Sequence, residues 1–391
     1  MPLAIITLLI SVGLLLIGHG IQLTLLPLYA KSVGWQEGLI SLTGATYFVG
    51  FMIGALTVPK ILSKAGYIRV FLTLSALLAI VILSLGLVQN VVAWSCLRLL
   101  TGICIAGIYL TSESWVNAIA KPQKRGTLLA IYALVTLVGI GIGQTLVGLF
   151  NFDILFDVCA ILMLLALVPV GIFCSDEPEL PKYVKPKLSD MKGMPPLAIV
   201  AILMGGVMTG SIWSVAPLYG LTNGLDSWQI SMMMNAIVLG GMCFQLPFGI
   251  LFDRIPPRKI IMLVSAACCL TLLLVPSSFG QSWFWCTMFA FGGLSLTQYA
   301  IGSAYANGAS ELSRVKVASM VLLLNGSGSV LGPLLTGLAS IYVADAMIVV
   351  SFVSMLVVFA AVLFYRDKPV KADVLLLSLP LMDKIPERIA A

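Results

Sequence analysis

Residues 94–115 read WSCLRLLTGICIAGIYLTSESW. Wound as a helix at about 1.5 Å per residue, the run reaches roughly 33 Å, enough to cross the hydrocarbon layer of a bilayer. It nevertheless carries Arg98 and Glu113. Charges at membrane depth are costly unless they face a cavity or a partner, so this helix must turn one side toward something other than lipid.

The rest of the chain repeats the pattern. Of 391 residues, 60% are hydrophobic and only 10% charged, and the mean hydropathy is +1.08. That is more apolar surface than a water-soluble core can hide. Runs of about 20 apolar residues recur between short polar loops, and they predict twelve membrane helices: about 4–29, 36–60, 68–88, 91–118, 125–149, 154–173, 196–219, 227–252, 259–276, 280–310, 315–340 and 344–365. Strand alternation is absent, which excludes a membrane β-barrel. The first run has no basic segment before it and no small-residue cleavage site, so it reads as a retained helix.

Basic residues near span ends mark the cytoplasmic side. Lys60, Lys64, Arg69, Lys121, Lys124, Arg125, the lysines of residues 182–192, Arg254, Arg258, Lys259, Arg314, Lys316 and the tail from Arg366 fall on one side, against Lys31 on the other. Both termini are expected in the cytoplasm and the chain in the cytoplasmic (inner) membrane. The net charge of +6 then reflects loop topology, and no nucleic-acid partner is expected. The eight cysteines lack ligand spacing and read as small buried hydrophobes, no metal or cofactor is expected, and no GxxxxGK[ST] loop points to a nucleotide motor. The apolar stretch 374–382 is too short to span and is expected on the inner leaflet or against the linker.

A shift of about 190 residues lays the second half on the first. Pro27-Leu28-Tyr29 recurs as Pro217-Leu218-Tyr219; Gly139, Gly143 and Gly148 recur as Gly328, Gly332 and Gly337; Trp115-Val-Asn117 recurs as Tyr305-Ala-Asn307. The expected organisation is therefore a six-helix half over 1–174, a charged, proline-rich cytoplasmic linker over 175–195, a second six-helix half over 196–366 and a tail over 367–391. Parallel repeats of this kind occur in transporters with a substrate site between the halves. The glycine sets predict close packing of spans five and eleven against neighbours in the opposite half.

Three stretches carry a family resemblance. Residues 249–259, GILFDRIPPRK, resemble the GxLxDRxxxRK loop of the major facilitator superfamily; Arg98-Leu-Leu-Thr-Gly102 resembles its RxxxG motif; and residues 328–337, GSVLGPLLTG, resemble the glycine-proline motif of its antiporters. The Arg-Leu-Leu-Thr-Gly and Ser-Glu-Ser-Trp-Val-Asn run is also similar to the YcaD-type branch. The first-half loop has Ser63 where the signature has aspartate, and span five has Gln144 where the motif has proline. The resemblance implies an all-α fold of two pseudo-symmetric six-helix halves, a pathway role for Arg98, and a gating clasp of Asp253, Arg254 and Arg258 at the cytoplasmic surface.

Taking 100° per residue, Thr101, Gly102, Tyr109, Ser112 and Glu113 all fall within about 60° of Arg98, one stripe expected to face the pathway. Fifteen residues separate Arg98 from Glu113, roughly 22 Å of helix, which rules out a direct pair. Glu113 is either a proton-coupling group or a helix-end carboxylate bonded to backbone or Arg125. Arg98 is either a pathway cation or a packing residue. His19, the single histidine, shares a face with Ser11 and Gln22 and is a second proton-coupling candidate, or else a buried, hydrogen-bonded imidazole. Tyr47, Gln144, Trp213, Asn235, Gln245, Gln298, Tyr299 and Asn325 either hydrogen-bond between helices or, with His19, Gln22, Arg98 and Tyr109, outline a mostly neutral, aromatic substrate pathway.

These readings converge on a monomeric, proton-coupled secondary active transporter of a small organic molecule, without enzymatic activity. Export of an amphipathic drug or metabolite is favoured over import of an organic solute, and a non-transporting receptor is the remote alternative.

Overall fold

The computed structural model describes residues 3–120, 125–174, 178, 180, 188–310, 312 and 314–365, and structural statements below concern these. The tail expected on the inner leaflet lies outside them, as does most of the linker. The fold is all-α: α1 Leu3–Ser32, α2 Glu37–Ala65, α3 Tyr67–Leu87, α4 Val91–Ile119, α5 Arg125–Val147, α6 Phe152–Phe173, α7 Pro196–Thr222, α8 Ser227–Arg254, α9 Pro257–Ser278, α10 Phe284–Ala309, α11 Arg314–Ala339 and α12 Ala346–Phe364.

Local chemistry places the helix ends. The Asn90 side chain accepts from the backbone N–H of Val92 and Ala93 and so starts α4, supplying partners for donors that a helix N-terminus leaves orphaned. Asp226 and Gln229 form a reciprocal capping box at the start of α8. Gly66, at φ 91°, makes the one-residue joint between α2 and α3, a conformation only glycine adopts without strain. α6 breaks at Ala166 between Phe152–Leu165 and Leu167–Phe173; Pro169 has no N–H to give the carbonyl of Leu165, which accounts for the interruption.

Eleven of the twelve helices are long and apolar enough to span. The exception is α10, where twelve spans were expected. Its Gly292, Gly293, Ser295, Thr297 and Gln298 dilute the hydropathy, and all five are buried inside the protein, where lipid does not test them. The cysteines divide likewise: Cys104, Cys159, Cys174 and Cys268 are buried, whereas Cys96, Cys243 and Cys286 are exposed. These three correct the expectation of burial. An apolar thiol costs little against lipid, so composition alone does not decide which side of a span it occupies.

Within each half, backbones meet through glycine. A Cβ on Gly102 would collide with the carbonyl of Tyr47, and one on Gly143 with that of Ile17; Gly292 and Gly332 stand in the same relation to Ile237 and Val207. Spans five and eleven thus pack their glycines mainly on α1 and α7 of their own halves, which corrects the expectation of cross-half packing. Only the last glycine of each set faces the other half, Gly148 against Trp228 and Ser231 and Gly337 against Ser41.

Between the halves the packed pairs are α2–α11, α5–α8, α1–α7 and α2–α7, while α4 and α10 form no such pair. The contacts cluster on the side away from the basic loops. Gly38 and Ser41 meet Gly337, Gly44 meets Ser214 and Pro333, Gly326 meets Met52, and Asn235 Nδ2 donates to Thr145 Oγ1 at 2.9 Å. The assembly is closed on that side, and among the described residues α4 and α10 form no packed pair across the halves. The end of the linker, a short 3-10 helix over Leu188–Gly193, is held to the C-terminal half by Lys316–Asp190 at 3.1 Å and by Ser310 Oγ donating to the Gly193 carbonyl at 2.9 Å.

Candidate transport site

At the seam of the halves lies a cavity of about 160 Å³. His19, Leu23, Tyr47, Phe48, Phe51, Tyr109 and Ile140 form its N-terminal wall, and Thr209, Trp213, Leu322, Asn325, Gly326 and Ser329 its C-terminal wall. Five sequence-derived pathway residues, His19, Tyr47, Tyr109, Trp213 and Asn325, meet here. No wall residue is acidic.

His19 organises one side. It is 3% exposed, stacks on Tyr47 with centroids 6.3 Å apart and makes a T-shaped pair with Tyr109 at 6.2 Å. Gln22 Nε2 contacts His19 Nδ1. An imidazole nitrogen can donate or accept according to its tautomer, so this contact ties His19 to Gln22 and leaves the second ring nitrogen for another partner. Gln22 itself is buried one layer behind, with Oε1 unpartnered.

Arg98 stands behind the same wall. Its guanidinium carbon lies 4.5 Å from the Tyr47 ring centroid, a cation–π contact that compensates part of the lost hydration. It is 5% exposed, enters no salt bridge among the described residues, and Nη1 is buried without a hydrogen-bond partner. The stripe expected to face the pathway is divided. Thr101 Oγ1 donates to the Leu97 carbonyl and Gly102 is pressed on α2, so the outer part of the stripe is helix–helix contact, while Tyr109 reaches the cavity.

Glu113 is exposed and lies in the last two turns of α4, toward the basic loops. It lies within electrostatic reach of the Tyr132 hydroxyl on α5 and the Tyr299 hydroxyl on α10, so it looks across at the other half. The backbone carbonyl of Glu113 accepts from Asn117 Nδ2, its carboxylate is in no salt bridge among the described residues, and the Arg125 side chain lies outside them.

The remaining polar residues separate. Asn235 bridges α8 to α5 away from the cavity wall. Gln144 and Gln298 are fully buried with unpartnered amides and do not line the cavity. In the expected clasp, Arg254 is exposed and Arg258 half-buried, neither in a salt bridge among the described residues; the Asp253 side chain lies outside them. Sequence reasoning missed Thr209 and Ser329. Thr209 was within reach, because the offset that carries Pro27 to Pro217 carries His19 to Thr209.

The sequence matches the Major Facilitator Superfamily over residues 8–309 and 224–379. It is 26% identical over 375 residues to the uncharacterized MFS-type transporter of Enterobacter sp. (strain 638), covering 92% of this chain and 95% of that protein. Identity to the uncharacterized MFS-type transporter YcaD of Escherichia coli O45:K1 (strain S88 / ExPEC) is 25% over 372 residues, covering 92% and 96%. The crystal structure of the nucleoside transporter NupG superposes with a TM-score of 0.76 at 15% identity, covering 94% of this chain and all of that one. Two six-helix bundles, a cavity on their seam and a family match across the chain lead to one conclusion: the protein belongs to the major facilitator superfamily, as a multi-pass membrane transporter.

Proposed function

We propose that the chain is a proton-coupled secondary active transporter of a small organic molecule, working by alternating access in the cytoplasmic membrane with both termini inside. The observation that carries this reading is the cavity walled by both halves, with close cross-half contacts on the side away from the basic loops. With the basic face cytoplasmic, this is an inward-facing state. The halves over 1–174 and 196–366 rock about the cavity, and the clasp around Asp253 and Arg254 sets the balance of states. The aromatic, acid-free wall favours export of an amphipathic compound over import of a polar solute.

Glu113 is the protonation switch in this scheme and His19 the second proton site. A carboxylate that meets a wet, open pathway and then a closed, dry one changes its proton affinity with conformation, which links the two. In proteoliposomes, Glu113→Gln should retain solute exchange and lose accumulation driven by a pH gradient; accumulation equal to the parent's would remove Glu113 from the mechanism. In a cysteine-less background, Ser41→Cys with Ser340→Cys, which line one outer pocket, and Asn117→Cys with Asn307→Cys at the inner ends of α4 and α10 should crosslink in mutually exclusive states. Simultaneous closure of both pairs in one active molecule would refute the rocking scheme.

A further inference from the structure

We infer that the cavity accepts an organic monoanion of single-ring size, with its acidic head beside His19 and Tyr47 and its ring against Trp213. The inference rests on the transporter reading of the same cavity and names its substrate class.

Size comes first. A cavity of about 160 Å³ is comparable to the engineered apolar cavity of about 150 Å³ that holds one benzene. Charge decides next. The wall contains no acidic residue, while Arg98 lies directly behind Tyr47 with no salt bridge among the described residues and a buried, unpartnered Nη1. A fixed cation without a counter-charge in a poorly screened interior attracts an anion in the adjacent space and repels a cation. The donors then place the head group. His19, Tyr47 and Tyr109 line this wall together, and an imidazole and two phenols can each donate a hydrogen bond. A carboxylate only accepts, which complements this set. Across the cavity, Trp213 and Leu322 supply an apolar face for the ring.

The test uses three near-isosteres that differ in charge: phenylacetate, phenylacetamide and phenethylamine, titrated calorimetrically into the purified full chain in detergent. Phenylacetate should bind at least tenfold more tightly than phenylacetamide, and phenethylamine should give no binding. Arg98→Gln should bring phenylacetate within about twofold of the amide without weakening the amide, and Arg98→Lys should keep most of the preference. Equal affinity for acid and amide, preference for the amine, no binding of any of the three, or a tenfold preference surviving in Arg98→Gln would overturn the inference. The selectivity of the unaltered chain decides the charge assignment even if the Arg98→Gln chain does not fold. The two readings fail separately. Phenylacetate bound with the expected selectivity but never moved across a proteoliposome membrane defeats the transporter reading alone, whereas mutually exclusive crosslinks without phenylacetate binding defeat the substrate class alone.

Discussion

In the N-terminal half, Gly102 of α4 lies against the carbonyl of Tyr47 and Gly50 of α2 against that of Leu99; in the C-terminal half, Gly292 of α10 lies against Ile237 and Gly240 of α8 against Phe289. Each second position is the first moved by 190 residues. The same shift carries His19 to Thr209, Arg98 to Met288 and Glu113 to Ser303. Backbone approach is repeated at these positions, while His19, Arg98 and Glu113 have no ionisable counterpart at the matching ones. Close helix packing constrains residue size on both sides of the seam, whereas a cavity between two walls needs its charge on only one.

If the scaffold is symmetric, Gly102→Leu and Gly292→Leu should be comparably destructive. Each side chain would meet backbone that cannot yield, so each should exceed the ~1–3 kcal/mol of ordinary overpacking and abolish folded protein in size-exclusion profiles. A well-folded Gly292→Leu would break the equivalence. If the chemistry is asymmetric, Arg98→Met should abolish transport in reconstituted vesicles while resistance to thermal unfolding is kept or rises, because a buried cation costs about 2.5–3.5 kcal/mol at membrane depth. Met288→Leu at the matching position should cost under about 1.5 kcal/mol and leave transport intact.

A smaller effect is expected at the seam. Gly337→Leu would press on Ser41 of the other half only while the outer side is closed. It should shift the population toward outward-open by about 1–3 kcal/mol, read as faster alkylation of a cysteine at Ser41 from the outside. Smallest of all, Lys316→Ala should change unfolding by about 0–1 kcal/mol, since the Lys316 side chain is 43% exposed in its pair with Asp190.

Much of this is legible in the sequence alone. Apolar run length placed the helices, and the repeat placed the halves. The stripe on α4 carries Tyr109 to the cavity wall, but it does not say that its outer part is spent on α2, because a helical wheel gives direction and not neighbour. Asn235 and Gln298 have the same polarity as Asn325, yet only Asn325 reaches the cavity; which helix faces which is a tertiary fact absent from a single strand of residues. The glycine sets suggest cross-half contacts for the same reason. Their spacing revealed close approach but not the partner.

Among the described residues, no ion pair crosses between the halves. The two present are Lys31–Glu37 within the first half and Lys316–Asp190 between linker and second half. The outer closure therefore rests on Gly38, Ser41, Gly44, Ser214 and Gly337 in van der Waals contact and on the Asn235–Thr145 hydrogen bond. Such a closure is insensitive to ionic strength, because there is no charge pair for dissolved salt to screen. Whether a cell is bathed in fresh water or brine, the contacts of this gate offer dissolved ions no charge pair to loosen.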